Sequence, residues 1–378
     1  MHILHSGSLD VKTGGPALST YLSIKGLIRG GVDTEIIMPP IIGDGRLIAD
    51  DVKIHYTNAL KNPRFGYMPG LKQTLRNLPE YDLYHAQGIW QYLPHVVAAF
   101  ARREGKPYII TPRGMLYPQA LEQSALIKKV SLALYQRKDL QNAAAIQATC
   151  VEEMKHYRRL GFTNPVAVIP NPIDTNGIID RPIPAKPKLR IGYLGRIHPR
   201  KRIERLIYAF DTMRSKLQDA ELLIIGADNE GYEKFLKDEV ARLGLANVKF
   251  TGFLAGEEKD ETITSLSCLA VPSDFENFGN IVTEALVRGV PVIASKGTPW
   301  QELEEYGCGW WVDNDRESIN KAIQKVASLS QKELEDMGYR GKQLIKEKYS
   351  VEEVGAKLKS LYEWVLGQGE KPEFVYLD

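Results

Sequence analysis

Residues 271–295 read VPSDFENFGNIVTEALVRGVPVIAS. Val271 ends a short apolar run, Ser273 to Gly279 form an acidic loop with one glycine, and a helical pattern starts at Asn280. After a turn at Gly289, Val290 to Ile293 is apolar again. Strand, loop, helix, strand at this spacing is the crossover unit of a parallel sheet. Further crossover units precede it: Leu189 to Leu194, Ala220 to Ile225, Val248 to Phe250 and Cys268 to Val271 read as strands between helical stretches. An earlier array runs through His2 to His5, Thr34 to Met38, Tyr81 to His85, Tyr108 to Thr111, Ala144 to Ala148 and Val166 to Ile169. Between the two arrays, residues 171–188 carry Pro172, Pro182, Pro184 and Pro187, an extended linker by composition. The pattern predicts an α/β chain of two facing Rossmann-like domains with parallel sheets. Ligands are then expected in the interdomain cleft, beyond the strands' carboxyl ends.

The 378 residues are too many for one core. With 49 Lys+Arg against 47 Asp+Glu, the net charge of +2 gives no electrostatic case for a nucleic-acid partner. Cys150, Cys268 and Cys308 form neither a CxxC pair nor an even framework, which suits structural thiols in a reducing compartment. No apolar run reaches 18 residues, and Met1 to Ser8 lacks the features of a leader. A cytoplasmic protein is expected, with peripheral contact at the inner membrane face as the further option.

Two stretches carry the chemistry. In the first, Asn277, Phe278, Gly279, Asn280 and Ile281 sit where a helix begins, and backbone amides there favour an anion. Gly279 permits close approach of a phosphate. Glu276 and Glu284 flank these residues and suit sugar hydroxyls, although capping and surface roles explain them equally well alone. In the second, GRIHPRK (residues 195–201), Arg196 and Lys201 offer two cations for a diphosphate.

Together with Gly14 and Gly15 near the start, these motifs resemble the retaining glycosyltransferase family 4. PRGML (residues 112–116) and VIPNPID (residues 168–174) are similar to its bacterial exopolysaccharide and lipopolysaccharide members. The resemblance implies a GT-B fold with an acceptor-binding domain over 1–172, joined by a returning helix within about 349–378. A nucleotide-sugar-binding domain would occupy 173–348. It implies that Arg196 and Lys201 neutralise the diphosphate and that the Gly14–Gly15 loop and the amides near Phe278 hold it. Glu284 would bind the ribose, Glu276 the transferred sugar, and the Phe253 loop the base. It further implies front-side retention without metal or other cofactor. UDP-hexose, UDP-glucose for example, is the expected donor and GDP-mannose the second, with a saccharide or lipid-linked acceptor in surface polysaccharide synthesis.

Two positions depart from the family pattern. Arg113 stands where many relatives have a histidine that touches the donor sugar, and His85, read at a strand end, is the other candidate. Arg202 follows Lys201 where glycine is usual. Asp313-Asn314-Asp315 has the spacing of a metal-binding DxD, but capping of the next helix explains it better. Trp90, Trp300, Trp310 and Trp311 are expected in the core. Lys128, Lys129, Arg137 and Lys138 on an apolar helical pattern suit either a solvated face or an anionic membrane. The alternatives are a GT-B nucleotide-sugar epimerase, a sugar-binding module, and an NAD-dependent oxidoreductase. The last is disfavoured because the first strand lacks GxGxxG.

Overall fold

The computed structural model describes residues 1–10, 14–41, 43, 49, 51–58, 65–228 and 230–377. It divides into two compact units, 1–174 with 349–378, and 175–348. The first unit carries β1 (His2–Ser6), β2 (Asp33–Met38), β3 (Lys53–Tyr56), β4 (Leu83–Gln87), β5 (Tyr108–Thr111), β6 (Ala145–Ala148) and β7 (Val166–Val168). The second carries β8 (Arg190–Leu194), β9 (Glu221–Ile225), β10 (Val248–Gly252), β11 (Cys268–Val271), β12 (Val292–Ser295) and β13 (Gly309–Val312). β14 (Val375–Tyr376) returns to the first unit.

The first sheet has the order β14-β7-β6-β5-β4-β1-β2-β3 and the second β10-β9-β8-β11-β12-β13. Every pairing is parallel except β14 on β7. Parallel strands buried on both faces need continuous apolar runs, and ELLII of β9 and CLAV of β11 are buried throughout. In each sheet the strand order reverses once, beside β1 and β4 in the first and beside β8 and β11 in the second. Crossovers leaving such a pair of strands diverge to opposite faces, which opens a crevice at the carboxyl ends. The two-domain α/β reading of the sequence is what the structure shows. β3, β13 and β14, all at or near sheet edges, were not among the strands read from sequence.

In the first unit the returning helix Val351–Val365 packs on the helix Gly15–Arg29 through two glycines. A Cβ on Gly355 would stand 2.5 Å from the Gly26 carbonyl carbon, and one on Gly26 would stand 2.3 Å from the Val351 carbonyl oxygen. That contact lets Val354, Leu358, Leu361 and Tyr362 join Ile3, Leu83 and Ile109 in one buried cluster. Among the described residues no helix is long and apolar enough to cross a membrane.

Because backbone cannot yield as a side-chain tip can, Gly355→Val must separate the two helices. Overpacking of this kind costs about 1–3 kcal/mol or more. We expect a loss of roughly 3–10 °C in the melting temperature, measured by calorimetry. An unchanged melting temperature would contradict the close packing.

Candidate functional site

At the carboxyl end of β8 the chain needs glycine. Gly195 has φ 141° and Gly226, just past the end of β9, has φ 153°; a Cβ on Gly226 would lie 1.8 Å from the Gly195 carbonyl oxygen. The Gly195 amide donates to Ile225 at 3.0 Å, the Ile197 amide to Ala227 at 2.9 Å, and the Gly226 amide to Gly252 at 2.9 Å. Three strand ends are thereby tied side by side. Beyond them His198 accepts the Arg200 amide at 3.0 Å through Nδ1 and caps the short 3-10 turn Pro199–Lys201.

That turn is fastened to the loop after β11. The Asp274 amide donates to the Arg200 carbonyl at 2.9 Å, Arg202 Nε donates to Asp274 Oδ2 at 2.5 Å, and Lys201 Nζ bonds Glu276 Oε1. Ser273 Oγ adds a 3.0 Å bond to the same oxygen. Arg202 has φ 52°, the left-handed conformation that a glycine adopts freely, so the departure noted in sequence keeps the turn. Its bond to Asp274 offsets the strain. The structure thus brings Lys201 and Glu276 into direct contact at the strand pair where the second sheet reverses order. Arg196 is exposed on the same loop; its guanidinium makes no ion pair among the described residues.

The remainder of the loop is held from below. Trp300, fully buried, donates its indole N–H to the Phe278 carbonyl at 2.6 Å, and the two rings lie 5.3 Å apart. Gly279 has φ 82°, and the Val282 amide bonds its carbonyl as the helix Asn280–Leu286 begins. Asn277, Asn280 and Ile281 are half-buried around this turn. Glu284, on the helix, pairs with Lys259 at 2.5 Å rather than standing free. Gly297, which the sequence reading passed over, fixes the loop: its carbonyl accepts the Glu276 amide, and a Cβ there would meet the Asp274 carbonyl at 2.4 Å. Phe253 follows the end of β10 and is 75% exposed.

In the first unit Gly14 has φ 79° and, with Gly15, opens the helix Gly15–Arg29. Arg113, at φ 54°, points under that helix. Its guanidinium donates to Gln87 at 3.0 and 2.7 Å, Ser19 at 2.8 Å, Thr20 at 3.0 Å and Asn171 at 3.1 Å. All four acceptors are neutral, and among the described residues no carboxylate lies within ion-pairing distance of it. Desolvation lowers its pKa to about 10 against the distant pull of Glu153, so the group stays cationic at neutral pH. Sequence reasoning missed Gln87, Ser19 and Thr20, since neutral hydroxyls and amides carry no motif.

His85 requires a correction. It lies mid-strand, two residues before the end of β4, and is fully buried. Its Nδ1 bonds the Tyr362 hydroxyl at 2.6 Å and its Nε2 the Thr111 hydroxyl at 2.7 Å, so neither nitrogen is left for a substrate. Burial pushes its pKa well below the usual value. His5, 5.1 Å away ring to ring, is also fully buried, and among the described residues both its nitrogens lack hydrogen-bond partners. Of the other expectations, Asp315 does cap a helix, accepting the Ser318 amide at 2.8 Å. Asp313 pairs with Lys296 at 3.0 Å and Asn314 bonds Asp274 at 2.7 Å. The three cysteines are buried, and none forms a disulfide.

Residues 14–172 match the model of the glycosyl transferase 4-like domain, and residues 178–344 match the model described as glycosyl transferases group 1. These two domains on two parallel Rossmann-like sheets define the GT-B class of protein. The chain belongs to the GT-B glycosyltransferases. It is 28% identical over 179 residues to an uncharacterized glycosyltransferase of Methanocaldococcus jannaschii, covering 45% of this chain and 43% of that protein. To a capsular polysaccharide biosynthesis glycosyltransferase of Staphylococcus aureus it is 27% identical over 182 residues, 48% of this chain and 47% of that one. The matches therefore span less than half the length of these curated relatives. In fold it resembles a sucrose-phosphate synthase from Thermosynechococcus elongatus, with a TM-score of 0.74, 19% identity, and coverage of 97% and 99% of the two chains. It also resembles Anabaena HepE in complex with UDP and glucose, with a TM-score of 0.73, 20% identity, and coverage of 96% and 100%.

The buried histidines give the first unit a pH signature. His5 titrates near 3 in the fold, lowered by burial and then by Arg113, against 6.5 when unfolded. Between those values the unfolded chain binds the extra proton, so stability falls as pH falls below about 6.5. From pH 7 to pH 5 this single group costs about 2 kcal/mol. Urea titrations at the two pH values should show that loss in the wild type and a smaller one in His5→Phe. Equal losses would contradict it.

Proposed function

We propose that this chain transfers a hexose from a nucleoside-diphosphate sugar to a saccharide or lipid-linked acceptor, with retention of anomeric configuration. The observation that carries the reading is the fastening of the Gly195–Arg202 loop to the Ser273–Gly279 loop. It gathers Arg196, Lys201 and Glu276 at the carboxyl ends of β8 and β11, at the sheet's switch point. In this reading Lys201 passes its bond from Glu276 to a phosphate oxygen when the donor binds. Glu276 is then freed to accept from sugar hydroxyls. Arg196, exposed and without an ion pair among the described residues, supplies the second cation. The backbone about Phe278 to Ile281 faces the phosphates, Glu284 receives the ribose and Phe253 stacks near the base. Gly14, Gly15 and Arg113 lie in the first unit, which in this reading binds the acceptor, and are its candidate ligand-binding residues.

For the reaction, the bond from the anomeric carbon to the phosphate oxygen breaks with its electron pair leaving on phosphate. The acceptor oxygen bonds the same face, and its proton passes to the departing phosphate oxygen. In this reading Glu276 and Glu284 are both occupied by sugar hydroxyls when the donor is bound, which favours this route over a carboxylate nucleophile. The cations make the diphosphate a better leaving group, the kind of preorganised charge that lowers a barrier by several kcal/mol without a metal ion. UDP-hexose is our first donor and GDP-mannose the second. HepE was solved with UDP-glucose, whereas a Corynebacterium glutamicum relative, 32% identical over 123 residues, is GDP-mannose-dependent.

The acceptor-binding unit also carries a surface suited to an anionic membrane. Leu126, Ile127, Val130 and Leu134 are exposed next to Lys128, Lys129 and Lys138. That surface supports our reading of the inner face of the cytoplasmic membrane as the site of action, in surface polysaccharide synthesis.

Lys201→Ala and Glu284→Ala should each lower transfer more than tenfold, about 1.4 kcal/mol of barrier, in a sugar-release and product assay. Wild-type rates in both would overturn the site. In a thermal-shift panel of UDP-, GDP- and ADP-sugars, the UDP-sugar should raise the melting temperature most. A larger shift with GDP-mannose would reverse the donor order. Acidic liposomes should co-sediment the protein at low salt, and Leu126→Asp with Leu134→Asp should abolish that; unchanged sedimentation would remove the membrane from the account.

A further inference from the structure

At the opposite end of the first sheet, where the strands begin, β1, β2 and β3 bring titratable side chains to one face. The parallel register sets His2 beside Asp33 and Glu35 beside Lys53. Residues two apart on a strand share a face, so Asp33 joins Glu35 and Lys53 joins His55. Glu35 is buried, 5% exposed, and heavily bonded. Lys53 Nζ lies 2.7 Å from its Oε1, while His55 Nε2 and the Tyr81 hydroxyl each lie 2.5 Å from its Oε2. Burial works against its charge, but the bonds from Lys53, Tyr81 and His55 prevail and hold its pKa at about 2.

His2 completes the cluster in an unusual posture. Its Nδ1 lies 3.2 Å from the Glu80 carbonyl, which can only accept, so the proton belongs on Nδ1. Its Nε2 is buried and has no hydrogen-bond partner among the described residues, yet it stands 3.4 Å from Glu35 Oε1 and 3.7 Å from Asp33 Oδ2. Tyr81 lies against the imidazole with 4.3 Å between centroids and fixes its orientation. Two carboxylate oxygens this close to Nε2 call for positive charge between them, which a second ring proton or a metal ion supplies. Ligands of a tetrahedral zinc ion at about 2.0–2.1 Å stand about 3.3–3.4 Å from one another. The two separations from Nε2 need to close by only a few tenths of an ångström, and one ligand atom from each of the three residues falls within 4.8 Å of the others. A histidine whose second nitrogen is anchored on a backbone carbonyl is the arrangement that metal ligands adopt.

We propose that His2 Nε2, Asp33 and Glu35 form a binding site for a divalent first-row transition ion, zinc being the best fit, with water in the fourth position. Nitrogen and carboxylate donors suit such ions, whereas calcium and magnesium prefer oxygen alone. Lys53, 63% exposed, holds Glu35 Oε1 as a tethered cation that the metal displaces. His55 and Tyr81 remain on the other oxygen. The site joins the starts of β1 and β2, so the ion clamps the fold rather than serving the strand ends where substrates bind. It stands independently of the proposed transfer reaction.

The test uses the full chain after treatment with a chelator and removal of it. Zinc chloride should raise the wild-type melting temperature by several degrees and bind with one-to-one stoichiometry in calorimetry. His2→Gln and Asp33→Asn should each weaken binding at least tenfold and lose the thermal shift; the Asp33 side chain is exposed, which keeps this variant foldable. Lys53→Gln, which removes the competing cation, should tighten zinc at least threefold. No shift in the wild type, an equal shift in both ligand variants, or weaker binding in Lys53→Gln would each overturn the site.

Discussion

Everything in the second unit's candidate site depends on one contact between strand ends, the Gly195 carbonyl lying where a Cβ of Gly226 would be. Only two glycines allow the ends of β8 and β9 to approach this closely. Once they do, the chain leaving β8 must run across the sheet top toward the loop after β11. Asp274 then receives it twice, by its amide on the Arg200 carbonyl and by its carboxylate on Arg202. The ion pair of Lys201 with Glu276 follows from that course; neither residue could find the other from its own strand alone. A loop fastened by backbone and charge presents cations at fixed positions, and preorganisation of this kind is what stabilises developing charge on a leaving group.

The first unit holds its polar groups differently. Arg113 is ringed by neutral acceptors, and the nearest buried carboxylate, Glu153, spends itself on the Gly114 and Thr149 amides. A cation left without a counter-charge is costly to bury and is a standing attraction for an anion. His5 and His85 beneath it are kept neutral by burial. Such groups lower stability, and proteins retain them where binding chemistry uses the stored field.

Fold class was legible because buried parallel strands write continuous apolar runs, as CLAV and ELLII do, and because a proline-rich stretch separates two such arrays. β3, β13 and β14 escaped notice for a physical reason: edge strands are short and half-exposed, and KIHY or VY carries no periodicity. The loops around Arg196 and Glu276 were legible as motifs, whereas the direct bond between Lys201 and Glu276 was not, since it arises from strand order. His85 misled because a histidine preceding small residues looks like a strand end, but β4 continues through Gln87. The His2, Asp33 and Glu35 cluster was invisible for the same reason as the lysine bond. His2 is about thirty residues from Asp33 and Glu35 in sequence and becomes their neighbour only through register.

The central claim is that the cations of the Gly195–Arg202 loop bind a diphosphate. Titration calorimetry of UDP against uridine, and of GDP against guanosine, addresses it directly. For the preferred base, the account predicts a nucleoside diphosphate bound about a hundredfold more tightly than its nucleoside, roughly 2.7 kcal/mol. Joint replacement of Arg196 and Lys201 by alanine should erase most of that difference. Equal affinities in the wild type, or a difference that survives both replacements, would contradict it.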